Sequence, residues 1–184
     1  SGGELERGRE HYMTQPKPLR FTAILEKSTN KLWGSHLQVP KSIAEKLVRG
    51  GSRRVLRTLN SSEAHQCALL PYGNGSFVLS VNKKWCDALH IQIGSEVTVG
   101  LQQDESTYGL PVPAELKELF RQDEEGNRLF HALTSGRQRT LLYIIGSALN
   151  PDARAWTASG IIRHLRDNNG KINYRQLNQS LKRR

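Results

Sequence analysis

Cysteine, methionine and long apolar runs are scarce in this chain. Two cysteines in 184 residues exclude a disulfide-stapled scaffold and read as reduced thiols in a cytoplasmic protein. The longest unbroken apolar run, Leu141–Ile145, is far short of the ~20 residues a membrane span needs. The single methionine is Met13. Residues 1–12 are polar and lack the apolar stretch of a secretory signal. Met13 is therefore read as the natural initiator and the residues before it as an expression scar. Acidic residues are few at one end. Residues 131–184 carry ten basic and two acidic side chains, whereas residues 21–112 carry ten basic and seven acidic. The chain's net charge of +10 is thus concentrated in its C-terminal third. Such a surface attracts phosphate polyanions, or is a solvated basic face.

The first half contains a repeat. Leu37–Leu47 lines up with Leu79–Leu89 at a spacing of 42, and the same spacing carries Val55 onto Val97 and Leu59 onto Leu101. Each copy reads as strand, short helix, strand. The first helix is expected over Lys41–Arg49, with Ile43 and Leu47 on one face and Ser42 and Glu45 at capping-box separation; Arg53–Leu59 follows as a strand. The second copy reads as a helix over Lys83–His90 and a strand over Glu96–Leu101. Further strands are expected over Arg20–Lys27, Leu32–Val39, Ala64–Tyr72 and Ser76–Val81, the last two joined by the hairpin signal Gly73-Asn74-Gly75. Six strands in so few residues predict a closed, mostly antiparallel barrel.

Residues 107–112 read as a linker. Helices follow around Leu116–Phe120, around Leu129–Leu133, over Arg137–Leu149, over Ala155–Arg166 and over Asn173–Leu181, with Pro151 as a breaker. The expected organisation is a tail (1–18), a barrel (19–106), the linker, and a helical segment (113–184).

Val39-Pro40-Lys41 ahead of Leu47, and Leu89-His90-Ile91 followed by Gly94 and Val97, resemble the strand–helix–strand half of AbrB/MazE-type double-split barrels. Those proteins close one barrel from two chains. Two copies in one chain imply a monomer closing the same barrel. The whole chain resembles an uncharacterised single-chain barrel family that is followed by a YdeI/OmpD-associated helical region. Phe130, Leu133 and Gly136-Arg137 carry the second likeness. In that family's Thr-Arg-x-x-Arg-Ile element, Arg154 matches the first arginine, but Thr157 and Ala158 stand where the second arginine and the isoleucine are expected. The resemblance implies survival under antimicrobial peptides or similar stress, without an assigned activity.

No catalytic or metal motif emerges. Gly-x-Ser-x-Gly, Cys-x-x-Cys and phosphate-cradling loops are absent, and the histidines are scattered. His65 and Cys67 share a strand face but supply only two ligands. Cys86 lies beside Lys83 and Lys84, yet takes the place of Ala44 in the other copy. The expectation is a non-enzymatic protein without cofactor or metal. Two basic constellations are binding candidates. One is Arg53, Arg54 and Arg57 with Lys83 and Lys84, Arg53 and Arg57 sharing a strand face. The other is Arg137, Arg154, Arg163 and Arg166 on the helices. Trp33 and Trp85 are candidates to line a cavity. The leading reading is a stress-associated binder of an anionic partner; the alternative is a DNA-binding regulator of AbrB-like type.

Overall fold

The computed structural model describes residues 17–182. The readings of Met13 and of residues 1–12 fall outside them, as does the end of the basic tail, Arg183-Arg184. The chain divides into two compact units. One comprises the chain up to Arg49 with Arg57–Glu63 and Leu70–Gln102; the other comprises Gly50–Leu56, Ala64–Leu69 and the chain from Gln103.

The first half holds β1 (Leu19–Ile24), β2 (Glu26–Lys27), β3 (Ser35–Val39), α1 (Lys41–Leu47), β4 (Arg54–Leu59), β5 (His65–Ala68), β6 (Leu70–Pro71), β7 (Phe77–Val81), α2 (Lys83–Leu89) and β8 (Glu96–Gln103). These strands form two four-stranded antiparallel sheets, ordered β1-β8-β4-β5 and β2-β3-β7-β6, in place of the six strands expected in one barrel. The difference arises at two leucines. The stretch expected as one strand over Arg20–Lys27 breaks at Leu25, and that over Ala64–Tyr72 breaks at Leu69. Both leucines are buried, and their N–H groups donate to the carbonyls of Ser95 (2.9 Å) and Arg53 (2.8 Å). Each stretch therefore bends out of one sheet and into the other.

Two smaller expectations also change. Leu32 and Trp33 lie in a turn, not in β3. Asn30 Oδ1 accepts the Leu32 N–H at 2.9 Å, and Gly34 has φ +71°, a conformation glycine adopts without strain. Ser42 is not a cap, because α1 begins directly after Pro40 and no side chain caps it. The equivalent position in the second copy is Asn82, which does cap, accepting the Trp85 N–H at 3.0 Å.

The helices are α3 (Ala114–Gln122), α4 (Glu124–His131), α5 (Ser135–Gly146), α6 (Pro151–Asp167) and α7 (Tyr174–Lys182). Asp123, Thr134 and Asn150 each cap the helix that follows. Pro151 starts α6 where the sequence reads a breaker. In the first turn its missing N–H costs nothing. Leu116, Phe130, Leu141, Ile145, Ile161 and Leu177 are wholly buried and form one core, with α6 packed on α3, α4, α5 and α7. Tyr108, Leu110 and Val112, within the stretch read as a linker, pack on that core.

Among the described residues, no helix is long and apolar enough to cross a membrane, and no group of three or more His, Cys, Asp or Glu is placed to hold a metal ion.

Candidate functional site

The strand-borne basic residues do not form one surface. β4 alternates, with Val55, Arg57 and Leu59 buried. Arg57 is thus a core residue, 4% exposed; its Nη1 donates to the Ser80 carbonyl at 2.5 Å and its guanidinium lies 5.4 Å from the Trp85 ring centre. A charge so buried needs such partners. Arg53 is exposed and precedes the strand. Arg54 is half-buried on the opposite face, donating to the Gly109 carbonyl. Burial, and then Arg139, lowers its pKa. Beside it, Gln66 Nε2 donates to Asp104 (3.1 Å) and to Ser106 (2.8 Å). This cluster pins the chain after β8. Lys83 is exposed and pairs with Asp87 at 2.7 Å, and that hydrogen bond raises its pKa. Lys84 is exposed. Trp33 and Trp85 are both half-buried.

The helical arginines divide more sharply. Arg154, on α6, binds Glu115 of α3 at 3.1 Å, with both side chains largely buried. Arg166, a little over three turns further on, binds Asp123 (2.5 Å) and Glu125 (3.1 Å). Those acids raise its pKa, while the Gly126 N–H and then Arg166 lower that of Asp123. Both arginines hold helices together. Thr157, where the family element has its second arginine, turns its hydroxyl onto the Ala153 carbonyl of its own helix (2.8 Å). Ala158 is wholly buried in the core. Arg137 is exposed in the first turn of α5.

Arg163 is different. It is exposed, no carboxylate among the described residues pairs with it, and it lines a cleft of about 130 Å³ between α6 and α7. Trp156, Asp167, Gln176 and Ser180 line it too, and Trp156 is 41% exposed. Under them His164 is 6% exposed. Its Nε2 accepts the Asn173 N–H at 3.1 Å, anchoring the start of α7, and burial lowers its pKa. The cleft thus brings the Arg163 guanidinium and the Trp156 indole together with the Asp167 carboxylate and amide and hydroxyl groups; a guanidinium beside an indole suits an anion attached to a planar group.

One polar cluster escaped the sequence reading. His36 is 1% exposed, and its Nε2 donates to Glu26 Oε2 at 3.2 Å. Gln38 Nε2 donates to the same oxygen at 3.0 Å, and the Tyr72 ring lies 4.6 Å from the imidazole. His36 Nδ1 is buried without a partner among the described residues. The repeat held the signal: at its spacing of 42, His36 falls on Val78, a core position.

The two halves of the chain match two different families. Residues 110–168 match the family described as Bacteriocin-protection, YdeI or OmpD-Associated. That segment ends with α6, so α7, the second wall of the cleft, lies beyond it. No curated protein matches the chain. Residues 21–101, from β1 into β8, match a domain of unknown function (DUF1905), so the match to the strand-rich segment precedes the match to the helical one.

Proposed function

We propose that this protein is a non-enzymatic binder that serves bacteriocin or stress protection by holding an anionic ligand in the cleft between α6 and α7. One observation carries the reading. Of the three arginines Arg154, Arg163 and Arg166 on α6, two are consumed by Glu115, Asp123 and Glu125, and the third faces an open cleft beside Trp156. The family description of residues 110–168 supports the protective role. The strand-rich segment is read as a double-split barrel of AbrB/MazE type closed within one chain. Counting β1 with β2 and β5 with β6 as bent strands gives the six such a barrel uses, and a monomer is the expected state.

The test is a calorimetric titration, with phosphate monoesters on planar groups as one arm and duplex DNA as the other. Each is run at ~50 and ~200 mM salt, the range over which phosphate contacts weaken steeply. Saturable binding of the monoester, lost in Arg163→Glu and in Trp156→Ala, supports the reading. Binding of duplex DNA alone, insensitive to Arg163, transfers it to an AbrB-like regulator.

A further inference from the structure

The first turn of α7 is held to α6 through one ring nitrogen. His164 Nε2 accepts the Asn173 N–H at 3.1 Å. Asn173 in turn caps α7. Its Oδ1 accepts the Gln176 N–H at 3.1 Å and its carbonyl the Leu177 N–H at 2.9 Å. Gln176 lines the cleft, and Leu177 is wholly buried. The lone pair of one buried imidazole thus sets where the second wall of the cleft begins. The rest of the attachment is apolar and short. Besides Leu177 it is Leu181, which lies so close to Gly160 that a Cβ there would stand 2.8 Å from Leu181 Cδ2. A helix of nine residues does not stand alone in water.

The bond to Asn173 fixes the state of the ring. A main-chain N–H only donates, so Nε2 keeps its lone pair and the neutral imidazole carries its proton on Nδ1. An imidazolium would set two donors against each other across that 3.1 Å. Burial opposes the proton as well, and Asp167, three residues on along α6, favours it. Arg163, which lines the same cleft, repels it. The acids that α3 and α4 turn onto α6, Glu115, Asp123 and Glu125, are engaged by Arg154 and Arg166. α5 carries Arg137, Arg139 and Tyr143 and no acid. From α7, the residues at the cleft are Gln176, Ser180 and Leu181; its titratable groups Tyr174, Arg175 and Lys182 are exposed and do not line it.

We infer that His164 is an acid-operated latch on the ligand cleft. Neutral, it holds Asn173, and α7 stands as the second wall. Protonated, it is drawn to Asp167 and loses Asn173, α7 comes away, and the cleft gives up its ligand. The release of ligand rests on the α6–α7 cleft being the binding site, so the test has one arm without ligand and one with it.

The first arm is amide hydrogen exchange of the full chain at about pH 7.5 and 5.5, read as protection factors so that the pH dependence of exchange itself cancels. One unit below the ordinary histidine value of 6.5, release is favoured by up to ~10-fold. α7 should lose protection by that factor while α5 keeps its own. His164→Gln should hold α7 equally at both pH values. Should that variant not fold, α5 of the wild type remains the internal reference. The second arm is calorimetric titration with phenyl phosphate at the same two pH values. The phosphate itself takes up a proton near pH 6, an effect that His164→Gln retains. The loss of affinity in acid should be ~3-fold or more greater in the wild type than in that variant. Unchanged protection of α7, or a loss that α5 shares, overturns the latch. Equal losses of affinity in the two proteins overturn the release, and so does binding that tightens in acid only in the wild type, as direct attraction between the anion and an imidazolium would give. No binding of phenyl phosphate at either pH removes the ligand reading of the cleft, while the exchange arm still decides the latch.

Discussion

Leu37 and Leu79 stand directly opposite each other across β3 and β7, and they are also equivalent residues of the 42-residue repeat. Two equivalent residues can face each other only where an axis of two-fold pseudosymmetry passes between them. A second crossing lies between β4 and β8. The Asn60 N–H donates to Thr98 and the Asp104 N–H to Arg54, a register that places Thr58 opposite Gly100, again a pair 42 apart. Every boundary of β3, α1 and the start of β4 recurs 42 residues later in β7, α2 and β8. The strands before them follow at a slightly longer spacing. Leu69 answers Leu25, and the N–H of each donates to equivalent carbonyls, Arg53 and Ser95.

Gly100 is where that axis leaves no room. A Cβ there would stand 2.5 Å from Thr58 Oγ1, and threonine is stiff about χ1. Gly100→Ala is expected to destabilise the protein by about 1–3 kcal/mol in urea unfolding. Thr58→Ala should rescue most of that loss in the double variant. Equal losses with and without Thr58 would mean the strain lies elsewhere.

The repeat made β3, α1, β4, β7, α2 and β8 legible, because alternation and leucine spacing were copied with little change. The bends at Leu25 and Leu69 were not legible. Their shared features are few, and the spacing between them is 44 where the rest of the repeat keeps 42. Arg57 was read as surface because it is charged, although its counterpart Val99 is wholly buried. On α6 the spacing placed the arginines on the helix but could not name their partners, since Glu115 is 39 residues from Arg154 and Asp123 is 43 from Arg166. Which arginine was left over, and so where the candidate cleft lies, became visible only once those acids were in place.

Arg154 and Glu115 tie α6 to α3 in a largely desolvated setting. A double-mutant cycle with Arg154→Met and Glu115→Gln should give a coupling of about 1–3 kcal/mol. The exposed Lys83–Asp87 pair, one turn apart on α2, should give a much smaller coupling. A small coupling at Arg154 would remove its assignment as a helix tie.

His164 predicts a pH dependence of stability. Burial lowers its folded pKa below the ordinary 6.5, so the unfolded chain takes up a proton that the folded chain resists. Stability from this group is full above 6.5 and falls as pH drops from there toward the folded value. His164→Gln, which keeps an acceptor for the Asn173 N–H, should flatten that part of the Tm–pH curve between pH 7 and 5. An unchanged slope would assign the dependence to another histidine.

Asp123 carries the opposite case. The Gly126 N–H, and then Arg166, hold its folded pKa below the ordinary 3.8, so the folded state favours the carboxylate more than the unfolded chain does. Its stabilisation is present above 3.8 and is lost as pH falls from there through the folded value. Asp123→Asn keeps an oxygen for the Gly126 N–H and removes the charge that Arg166 and the N-terminus of α4 attract. The Arg166 side chain is 42% exposed, so solvent screens the pair and the cost at pH 7 should be small. That cost should shrink as pH falls from 3.8 through the folded value, as the Asp123 carboxylate takes up its proton. Unfolding midpoints of the two proteins at pH 7, 4 and 2 decide it. A gap that does not shrink at all between pH 7 and pH 2 would place the stabilisation in the cap geometry, and one that is absent at pH 7 would show that Arg166 gains nothing from Asp123.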